Sequence, residues 1–394
     1  MGTDGPRTGD VRFIHTSAAT RCRVKPIQNA VPKNTCGGNP ENAKNRPIIG
    51  RTVLMPRPIE NARIIQRRCK VTFFNKIACQ AKLSAVKKKQ PYNQKLLMSI
   101  LQKKITLVDY ECLEHEDGQR IIGFGFFAGI VGAHNGMMAY GKRTGAYTLE
   151  RVYKQKSLRE LVHTYFGLKL PQIKIAVTGS GRVASGILEV MNLMGVIEVE
   201  ADEFLERQFS YPVYVHLKGS DLYRHKITGK YNSDDFHLHP QQYQNTFYPY
   251  TKETDILING VYWDTDIPRL FEWEHMKENE FRIQTIADIT DDIDGSIPCN
   301  LGDATMQDPV YGVDKFSREK LPPHGAGTVD IMAVGNLPNE LPRDASRYFG
   351  EQIIKYILED VVKGASQILN RATIIDKGAL TAQFEYLRDY AEGK

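Results

Sequence analysis

A glycine-rich segment at residues 179–186, GSGRVASG, is the part of the sequence whose residue types and spacing point most directly to chemistry. It stands between a strand-like apolar run, IKIAV, and a helix-like run, ASGILEVMNLMG. In that setting Gly179 permits a tight turn, Gly181 lets the backbone approach a pyrophosphate, and Ala184 allows the helix to pack closely. The amides and the dipole of the helix start then bind the anion. The segment therefore predicts a dinucleotide-binding turn.

The residue that contacts the ribose of the dinucleotide stays open at this stage. An acidic residue is expected about 20 positions after the turn, and Glu198, Glu200 and Asp202 lie in that region. The following PVYVHLKGSD is an equally good strand, with Asp221 at its end. The sequence consequently does not decide between NAD and NADP.

The elements before the turn follow from local patterns. Asn93 is a candidate N-cap of a helix, and ITLVDYEC at 105–112 is typical of a strand. The turn at Asp117–Gly118 predicts a hairpin that continues into RIIGFGFF. A long helix of small residues is expected from Ala128 to about Lys142. The first helix presents one apolar face, formed by Leu96, Leu97, Ile100 and Leu101.

Length and composition bound the class of protein. A chain of 394 residues exceeds one ordinary core, so two domains are expected, and 41% hydrophobic with 25% charged residues is typical of soluble globular proteins. The longest weakly polar stretch, residues 121–133, is shorter than the run of about 20 apolar residues that a bilayer-spanning helix needs. We expect neither a membrane segment nor a secretory or transit signal, which predicts a cytoplasmic protein.

The first 85 residues differ from the rest in charge and in pattern. Residues 1–90 contain 19 lysine and arginine residues against 4 aspartate and glutamate residues, although the whole chain carries only +6. Three interpretations stay open: a basic arm for nucleic acid, a divergent domain, or a foreign segment such as a wrong reading frame or gene-model join. Nucleic acid is not the expected partner, because lysine and arginine cluster only in RRCK and KKK. The cysteines of this part have no zinc-ligand spacing: Cys22, Cys36, Cys69 and Cys79.

From about residue 86 to 392, several further stretches carry a family resemblance. They are KKQPYNQKLL, DYECLEHEDGQRIIGFGFFAGIVGAHNG, GSGRVASG, TDILINGVYWD, ADITDDIDGSIP and NLPNELPRDASRYFG. Together they resemble the lysine-forming saccharopine dehydrogenase and lysine-ketoglutarate reductase family, within the alanine dehydrogenase and transhydrogenase superfamily. The resemblance implies oxidation of saccharopine with NAD or NADP and water to lysine and 2-oxoglutarate. It also implies a small-molecule amino-acid substrate, and it is compatible with a homodimer.

The resemblance further implies an α/β fold with two Rossmann-like domains. A cofactor domain at 146–339 is inserted into a discontinuous catalytic domain at 86–145 and 340–394, behind an irregular N-terminal segment at 1–85. Glu111 is similar to the family's supporting carboxylate, and Arg120 to the arginine that binds a substrate carboxylate. The implied cofactor-binding residues are Gly179, Ser180, Gly181, Arg182, Val183, Ala184, Asn259, Val261, Val334, Asn336 and Leu337.

Three departures from the family affect its catalytic groups. The family's acid/base lysine and histidine have no counterpart before KKQPYN, and no histidine lies between His15 and His115. The N-terminal arginine for the substrate cannot be placed, and Gly335 stands where the family has an aspartate. We therefore expect impaired activity, which a family-type N-terminal segment with Gly335→Asp would restore. The alternatives are a non-catalytic dinucleotide-binding protein or an alanine dehydrogenase-like enzyme.

Two further clusters are interpreted without a metal. HLH at 237–239 lacks a third ligand nearby, and the aspartates of 288–294 lack the pattern and terminal glutamate of a calcium loop. We expect no metal site in either place.

Overall fold

The computed structural model describes residue 89 and residues 91–364 and 366–393. All of them belong to one compact unit, Pro58–Lys394. The hypotheses about residues 1–85 lie outside the described residues. Within the described part of the chain, no helix is both long enough and apolar enough to cross a membrane.

Helices and strands alternate through most of the described chain. The α-helices are α1 (Gln94–Gln102), α2 (Gly125–Thr144), α3 (Leu158–His163), α4 (Arg182–Leu193), α5 (Ala201–Glu206), α6 (Ser233–Leu238), α7 (Pro342–Tyr356), α8 (Leu358–Lys363), α9 (Gln367–Ala372) and α10 (Arg388–Glu392). The strands are β1 (Leu107–Val108), β2 (Lys174–Thr178), β3 (Ile197–Glu198), β4 (Val213–Leu217), β5 (Tyr223–His225), β6 (Tyr243–Asn245), β7 (Ile256–Asn259), β8 (Thr285–Asp288), β9 (Val310–Asp314), β10 (Lys320–Leu321), β11 (Thr328–Met332), β12 (Thr373–Asp376) and β13 (Ala379–Leu380).

An eight-stranded sheet dominates this part of the chain, in the order β10-β9-β11-β8-β7-β2-β4-β3. The strands from β3 to β11 in that order pair in parallel, whereas β9 and β10 pair antiparallel. β2, β7, β8 and β11 are buried along their whole length, as expected for parallel strands covered on both faces. The predicted α/β class is confirmed. The domain boundaries stay predictions.

The strand β2 lies at the point where the strand order reverses. After β2 the chain forms β3 and β4 on one side of it, and β7 then pairs with β2 on the other side. At such a reversal, the connections that follow the two strands run to opposite faces of the sheet, which generally leaves a crevice at the carboxyl ends of the strands. Open α/β sheets bind their ligands at such a point, and the glycine-rich segment is the loop after β2.

A three-stranded sheet, β1-β12-β13, joins distant parts of the chain. β1 pairs antiparallel with β12, and Leu97, Ile374 and Leu387 are fully buried in the core beside this sheet. The segment that carries Glu111 and Arg120 is thus anchored by C-terminal residues.

The helices α2 and α4 pack at very short range, because each carries a glycine at the contact. A Cβ atom on Gly129 would overlap the carbonyl oxygen of Val183, and a Cβ atom on Gly186 would overlap the carbonyl oxygen of Phe126. Side chains larger than hydrogen therefore cannot be accommodated at either position without moving the helices apart. The small residues of α2 therefore allow α4, which begins at the dinucleotide turn, to pack directly against α2.

Gly129→Ala is expected to lower the free energy of unfolding by about 1–3 kcal/mol, because the added methyl group must separate the two helices. Alanine normally stabilises a helix relative to glycine by about 0.5–1 kcal/mol. A decrease in the free energy of unfolding, in place of this increase, would therefore indicate the close contact. Gly350→Ala on α7 is the matched control, since nothing lies within 4 Å of its Cβ position. Urea unfolding measures both variants. Equal stabilities of the two variants would contradict this packing.

The prediction of a strand over 105–112 is wrong except at Leu107 and Val108. β1 ends at Val108, and Tyr110–Cys112 forms a 3-10 turn. The carboxylate of Asp109 accepts a hydrogen bond from the backbone N–H of Glu111 at 2.9 Å. Such local side-chain bonds offer the backbone an alternative to the strand ladder, and here they turn Glu111 toward the site.

The predicted turn at Asp117–Gly118 is confirmed, but the long strands of the predicted hairpin are not. Gly118 has a left-handed φ of 79°, and Glu114 and Arg120 form an isolated antiparallel bridge. The chain then enters α2 at Gly125 instead of Ala128. The aromatic residues assigned to a strand therefore form the first turn of the helix.

The first predicted helix, α1, is confirmed with two corrections. Asn93 occupies the N-cap position, but its side chain makes no capping hydrogen bond. Leu97 and Ile100 are buried, whereas Leu96 is 37% exposed. The apolar face is therefore narrower than the sequence indicates.

A buried ion pair fixes the segment that follows β11. Glu340 is 1% exposed and accepts hydrogen bonds from Arg151 Nη2 at 2.5 Å and from Asn135 Nδ2 at 2.9 Å. Removing one partner of such a pair leaves a buried charge uncompensated, which is strongly destabilising. The pair holds the loop between β11 and α7 against α2.

Candidate dinucleotide and substrate site

The turn after β2 has the close backbone approach that the sequence predicts. Gly179 has a φ of 110°, and a Cβ atom there would overlap the carbonyl oxygen of Gly260 after β7. Its N–H donates to the carbonyl oxygen of Leu217 at the end of β4, at 3.1 Å. The turn is therefore tied to both neighbouring strands at the switch point.

The start of α4 offers a place for a pyrophosphate. The helix begins at Arg182, with Gly181 as its N-cap, two residues before the start expected from the sequence. Nothing lies within 4 Å of a Cβ atom built on Gly181, so the space beside the turn is open. The first N–H groups of a helix have no acceptor within the helix, and they favour an anion. The turn fits a dinucleotide.

The other predicted turn residues divide between solvent and core. Ser180 is exposed, and Ala184 is buried beneath the helix, as the close helix packing requires. Val183 Cγ1 is 2.9 Å from the Cβ position of Gly260, so its side chain fills the space beside that strand end. These positions are compatible with a ligand that contacts the backbone of the turn.

Arg182 connects the turn to the predicted substrate segment. Its Nη1 donates to the carbonyl oxygen of Arg120 at 2.9 Å and to that of Ile121 at 3.4 Å. The sequence assigns this arginine to the pyrophosphate, whereas the structure engages its guanidinium with the backbone that carries Arg120. Arg182 consequently fixes the distance between the turn and the substrate segment.

Arg120 and Glu111 form an ion pair, with 3.4 Å between Arg120 Nη2 and Glu111 Oε2. The arginine side chain is 47% exposed and the glutamate side chain 18% exposed, so the guanidinium faces solvent while the carboxylate lies behind it. A planar guanidinium can bind a carboxylate through two parallel hydrogen bonds. The pair is therefore arranged to present Arg120 to an anionic ligand.

A cavity of about 560 Å³ joins the two predicted subsites, and its walls include Arg120, Gly181 and Arg182. Sequence reasoning missed the other side of it, which is formed by His115 and by Tyr348, Gln352 and Lys355 of α7. The three α7 residues recur at spacings of four and three, which places them on one helix face. That spacing is the signal that could have indicated a functional face.

His115 and Lys355 meet at the ring of Tyr356, which also lines the cavity. The imidazole lies edge-on to that ring with 6.4 Å between ring centroids, and Lys355 Nζ lies 4.7 Å from the ring centroid. Both side chains can exchange protons. They come from segments other than the one in which the resemblance places the acid/base pair.

Asn259 and Val261 stand at the end of β7, on the other side of the crevice. Asn259 is fully buried and donates through Nδ2 to Asp288 Oδ1 at 2.9 Å, while its Oδ1 accepts from Thr178 Oγ1 at 2.7 Å. Val261 is also buried. The Asn259 side chain therefore links the ends of β2, β7 and β8, and the backbone beyond it faces the crevice.

The loop after β11 holds the last predicted cofactor residues. The side chains of Val334 and Leu337 are buried in the hydrophobic core, which leaves only their backbone to a ligand. Asn336 is exposed and has a left-handed φ of 62°. Of the three, only Asn336 presents a side chain at the surface.

Gly335 lies against two carboxylates that the sequence does not bring together. A Cβ atom there would be 3.4 Å from Asp291 Oδ2 and 3.5 Å from Asp303 Oδ2. Burial, together with the hydrogen bond and charge of Asp303, raises the pKa of Asp291 to about 8. An aspartate at this position would bring a third carboxylate into van der Waals contact with these two. Recovery of activity by a family-type N-terminal segment with Gly335→Asp stays a prediction.

The ribose contact left open by the sequence stays open in the structure. Glu198 lies on the edge strand β3 and accepts from the Tyr214 hydroxyl at 2.9 Å. Asp221 lies in the loop after β4, whose end is bonded to the turn, and its Oδ2 accepts from the N–H of Lys218 at 3.1 Å. The loop next to the turn thus carries both an acidic residue, Asp221, and a basic residue, Lys218. It therefore favours neither NAD nor NADP.

The histidine cluster at 237–239 belongs to a helix end. His237 Nδ1 contacts the carbonyl oxygen of Ser233 at 2.6 Å, within α6. In the described ranges, no group of three or more histidine, cysteine, aspartate or glutamate side chains is arranged to hold a metal ion.

Comparison with known proteins identifies distant relatives of most of the chain. No protein-family model matches it. The mitochondrial alpha-aminoadipic semialdehyde synthase of Rattus norvegicus is 27% identical over 362 residues, covering 78% of this chain and 38% of the relative. The NAD⁺-dependent, L-lysine-forming saccharopine dehydrogenase of Yarrowia lipolytica is 22% identical over 291 residues, covering 70% of this chain and 68% of the relative. Both are homologues of this chain.

These matches confirm the family resemblance at the level of distant homology. The N-terminal residues are not matched, in agreement with the change of pattern near residue 86. The chain spans 38% of the length of the rat relative. A solved structure of L-alanine dehydrogenase aligns with 75% of this chain and 72% of its own at 14% identity, with a TM-score of 0.43.

Proposed function

We propose that the chain is an NAD(P)-dependent oxidoreductase of the saccharopine dehydrogenase type. In this reaction saccharopine, NAD(P)⁺ and water give lysine, 2-oxoglutarate, NAD(P)H and a proton. One observation carries the proposal: Gly181 of the dinucleotide turn and Arg120 line the same cavity, and the Arg182 guanidinium bridges their segments. A cofactor and a carboxylate-bearing substrate would therefore meet there.

Each residue has a separate task in the proposed reaction. The backbone amides at the start of α4 hold the pyrophosphate, and Arg120 binds a substrate carboxylate through its planar set of donors. Glu111 orients that guanidinium through the 3.4 Å ion pair. When bound, the nicotinamide ring accepts a hydride from the carbon attached to the substrate nitrogen. The chain contributes position and charge complementarity to that step.

Proton transfer at the nitrogen and at the attacking water needs an additional acid or base. The lysine and histidine implied by the resemblance have no counterpart in the sequence before KKQPYN. His115 and Lys355 are the lining side chains suited to this task. Because they lie in other segments of the chain than the pair that the resemblance implies, we propose that turnover is slow.

Saccharopine oxidation is expected to be about 10²–10⁴-fold slower than that of the Yarrowia lipolytica relative, the range that a misplaced acid/base group costs. The assay follows the absorbance of NADH or NADPH. His115→Gln is expected to reduce the remaining rate at least about tenfold. His163→Gln is the matched control, because His163 is exposed on α3. A rate equal to the relative's would contradict the proposed impairment.

The second candidate is a non-catalytic dinucleotide-binding protein, favoured by the missing counterparts of the acid/base pair. It differs from the first in one measurable way. The dinucleotide would bind. However, NAD(P)⁺ would not be reduced in the presence of saccharopine or alanine, and NAD(P)H would not be oxidised in the presence of lysine plus 2-oxoglutarate. Any turnover with saccharopine that His115→Gln abolishes would exclude it.

A further inference from the structure

The side chain of Arg182 lies between the dinucleotide turn and the segment that carries Arg120. Arg182 is the first residue of α4, so its backbone belongs to the helix start that suits a pyrophosphate. Its Nη1 donates to the carbonyl oxygen of Arg120 at 2.9 Å and to that of Ile121 at 3.4 Å. Arg182 therefore belongs to one subsite through its backbone and to the other through its side chain.

Two glycines leave room for this side chain along the substrate segment. A Cβ atom on Gly123 would be 3.0 Å from Arg182 Nη2, and a Cβ atom on Gly125 would be 3.2 Å from Arg182 Cβ. Both distances are shorter than an ordinary van der Waals contact. The arginine is half-buried, because it lies against the backbone of these residues.

The charges of the two expected ligands give this arrangement a consequence. A dinucleotide brings a negatively charged pyrophosphate to the turn, and a substrate brings a carboxylate to Arg120. Because Arg120, Gly181 and Arg182 border one cavity of about 560 Å³, solvent ions screen the repulsion between the two ligands only partly. The positive charge of Arg182 lies where it offsets this repulsion.

The other basic side chains of the cavity are placed differently. His115 and Lys355 lie at the ring of Tyr356, and the guanidinium of Arg120 is paired with Glu111. Arg182, in contrast, extends from the turn to the backbone of the substrate segment. A change at Arg182 therefore reaches both ligands.

We propose that Arg182 couples the two binding events, so that a bound dinucleotide raises the affinity for a carboxylate substrate. By thermodynamic linkage the substrate then raises the affinity for the dinucleotide by the same factor. The inference rests on the proposed function, because it requires a dinucleotide at the turn and a carboxylate at Arg120. Arg182 is a positioning residue, since it acts on the substrate through the backbone of Arg120.

The sign of the coupling follows from charge and from position. The pyrophosphate attracts the guanidinium of Arg182 and keeps its side chain near the start of α4. In that position the guanidinium bonds to the carbonyl oxygens of Arg120 and Ile121. Arg120 is thereby held in place before the substrate arrives, and less conformational entropy is lost when the substrate binds.

Calorimetric titration of the full chain with 2-oxoglutarate, without and with saturating NADH or NADPH, tests the inference. The coupling factor is the dissociation constant without dinucleotide divided by the constant with it. For wild type it is expected to be about tenfold, within the range of about 5–150-fold that is typical of two coupled sites. Titration with the dinucleotide, without and with saturating 2-oxoglutarate, must give the same factor.

Arg182→Met is expected to lower the coupling factor to one or below, because the two anionic ligands then repel each other without compensation. Arg182→Lys keeps the charge but lacks the planar fork that reaches two carbonyl oxygens, so its factor should be intermediate. A general loss of affinity for either ligand cancels in this ratio. A merely structural role of Arg182 would therefore leave the factor unchanged.

Arg159→Met is the matched control. Arg159 is exposed on α3 and is not among the residues that line the cavity, so the factor should equal that of wild type. Circular dichroism checks that the variants are folded.

A coupling factor of one or less in wild type would overturn the inference. Equal factors in wild type and Arg182→Met would overturn it as well, even where both ligands bind. Failure of the folded chain to bind one or both ligands overturns the inference together with the proposed function. A tenfold factor that Arg182→Met removes, without any turnover of saccharopine, would instead support the inference and remove only the proposed reaction.

Discussion

Gly181→Asp is expected to weaken the binding of NADH and NADPH at least about 100-fold, because it places a negative charge where the pyrophosphate must lie. Gly181 has no close neighbour around its Cβ position and a φ of −90°, so the substitution is compatible with the folded backbone. The loss would therefore reflect binding and not unfolding. Calorimetric titration of wild type and variant measures it.

Gly350→Asp is the matched control for this comparison. It introduces the same side chain at another glycine with open space around its Cβ position, on α7 and outside the turn. It is expected to bind both dinucleotides as wild type does. Equal affinities of Gly181→Asp and Gly350→Asp would contradict the assignment of the turn.

Arg120→Met is expected to lower the affinity for a dicarboxylate substrate about 30–100-fold, because charge-assisted hydrogen bonds to a carboxylate each contribute about 1.5–3 kcal/mol. Removing the arginine also leaves Glu111, its partner at 3.4 Å, to repel the substrate. Arg120→Lys should recover only part of the loss, since an ammonium group lacks the planar fork. Titration with 2-oxoglutarate in the presence of saturating NADH or NADPH measures these affinities.

Arg347→Met is the control for charge alone. Arg347 is exposed on α7 and is not among the residues that line the cavity, so the substitution removes the same charge from outside the lining. Its affinity for 2-oxoglutarate should equal that of wild type. If Arg120→Met and Arg347→Met behave alike, Arg120 does not bind the substrate carboxylate.

The dinucleotide turn could be predicted from the sequence because its determinants are local. The strand β2, the turn at Gly179 and Gly181 and the helix α4 are consecutive, and each glycine has a conformational reason to be there. The long helix α2 was likewise predicted from its run of small residues. Only its start was misplaced, because aromatic residues at 124–127 suit a strand and a helix turn equally well.

The composition of the cavity could not be predicted in the same way. His115 and Lys355 are 240 residues apart in the sequence, and only the packing of α7 beside the turn brings them to one ring. The contact of Gly335 with Asp291 and Asp303 likewise depends on how two loops meet at the edge of the sheet. A single sequence contains no local signal for such encounters.

The short strand β1 shows the opposite failure, in which a local signal was overridden. ITLVDYEC has the composition of a strand. The Asp109 carboxylate, however, accepts a hydrogen bond from the backbone N–H of Glu111, and this bond ends the strand. That bond depends on a side-chain conformation, not on average strand preference. The same bond contributes to the position of Glu111 behind Arg120.

A crystal structure of the full chain with bound NADH or NADPH is the most direct test of the dinucleotide site. We expect the pyrophosphate to accept hydrogen bonds from the backbone amides at the start of α4, next to Gly181, with the nicotinamide end extending toward the cavity that Arg120 lines. A saturated complex in which the dinucleotide lies away from the turn after β2 would contradict the site, and with it the proposed oxidoreductase.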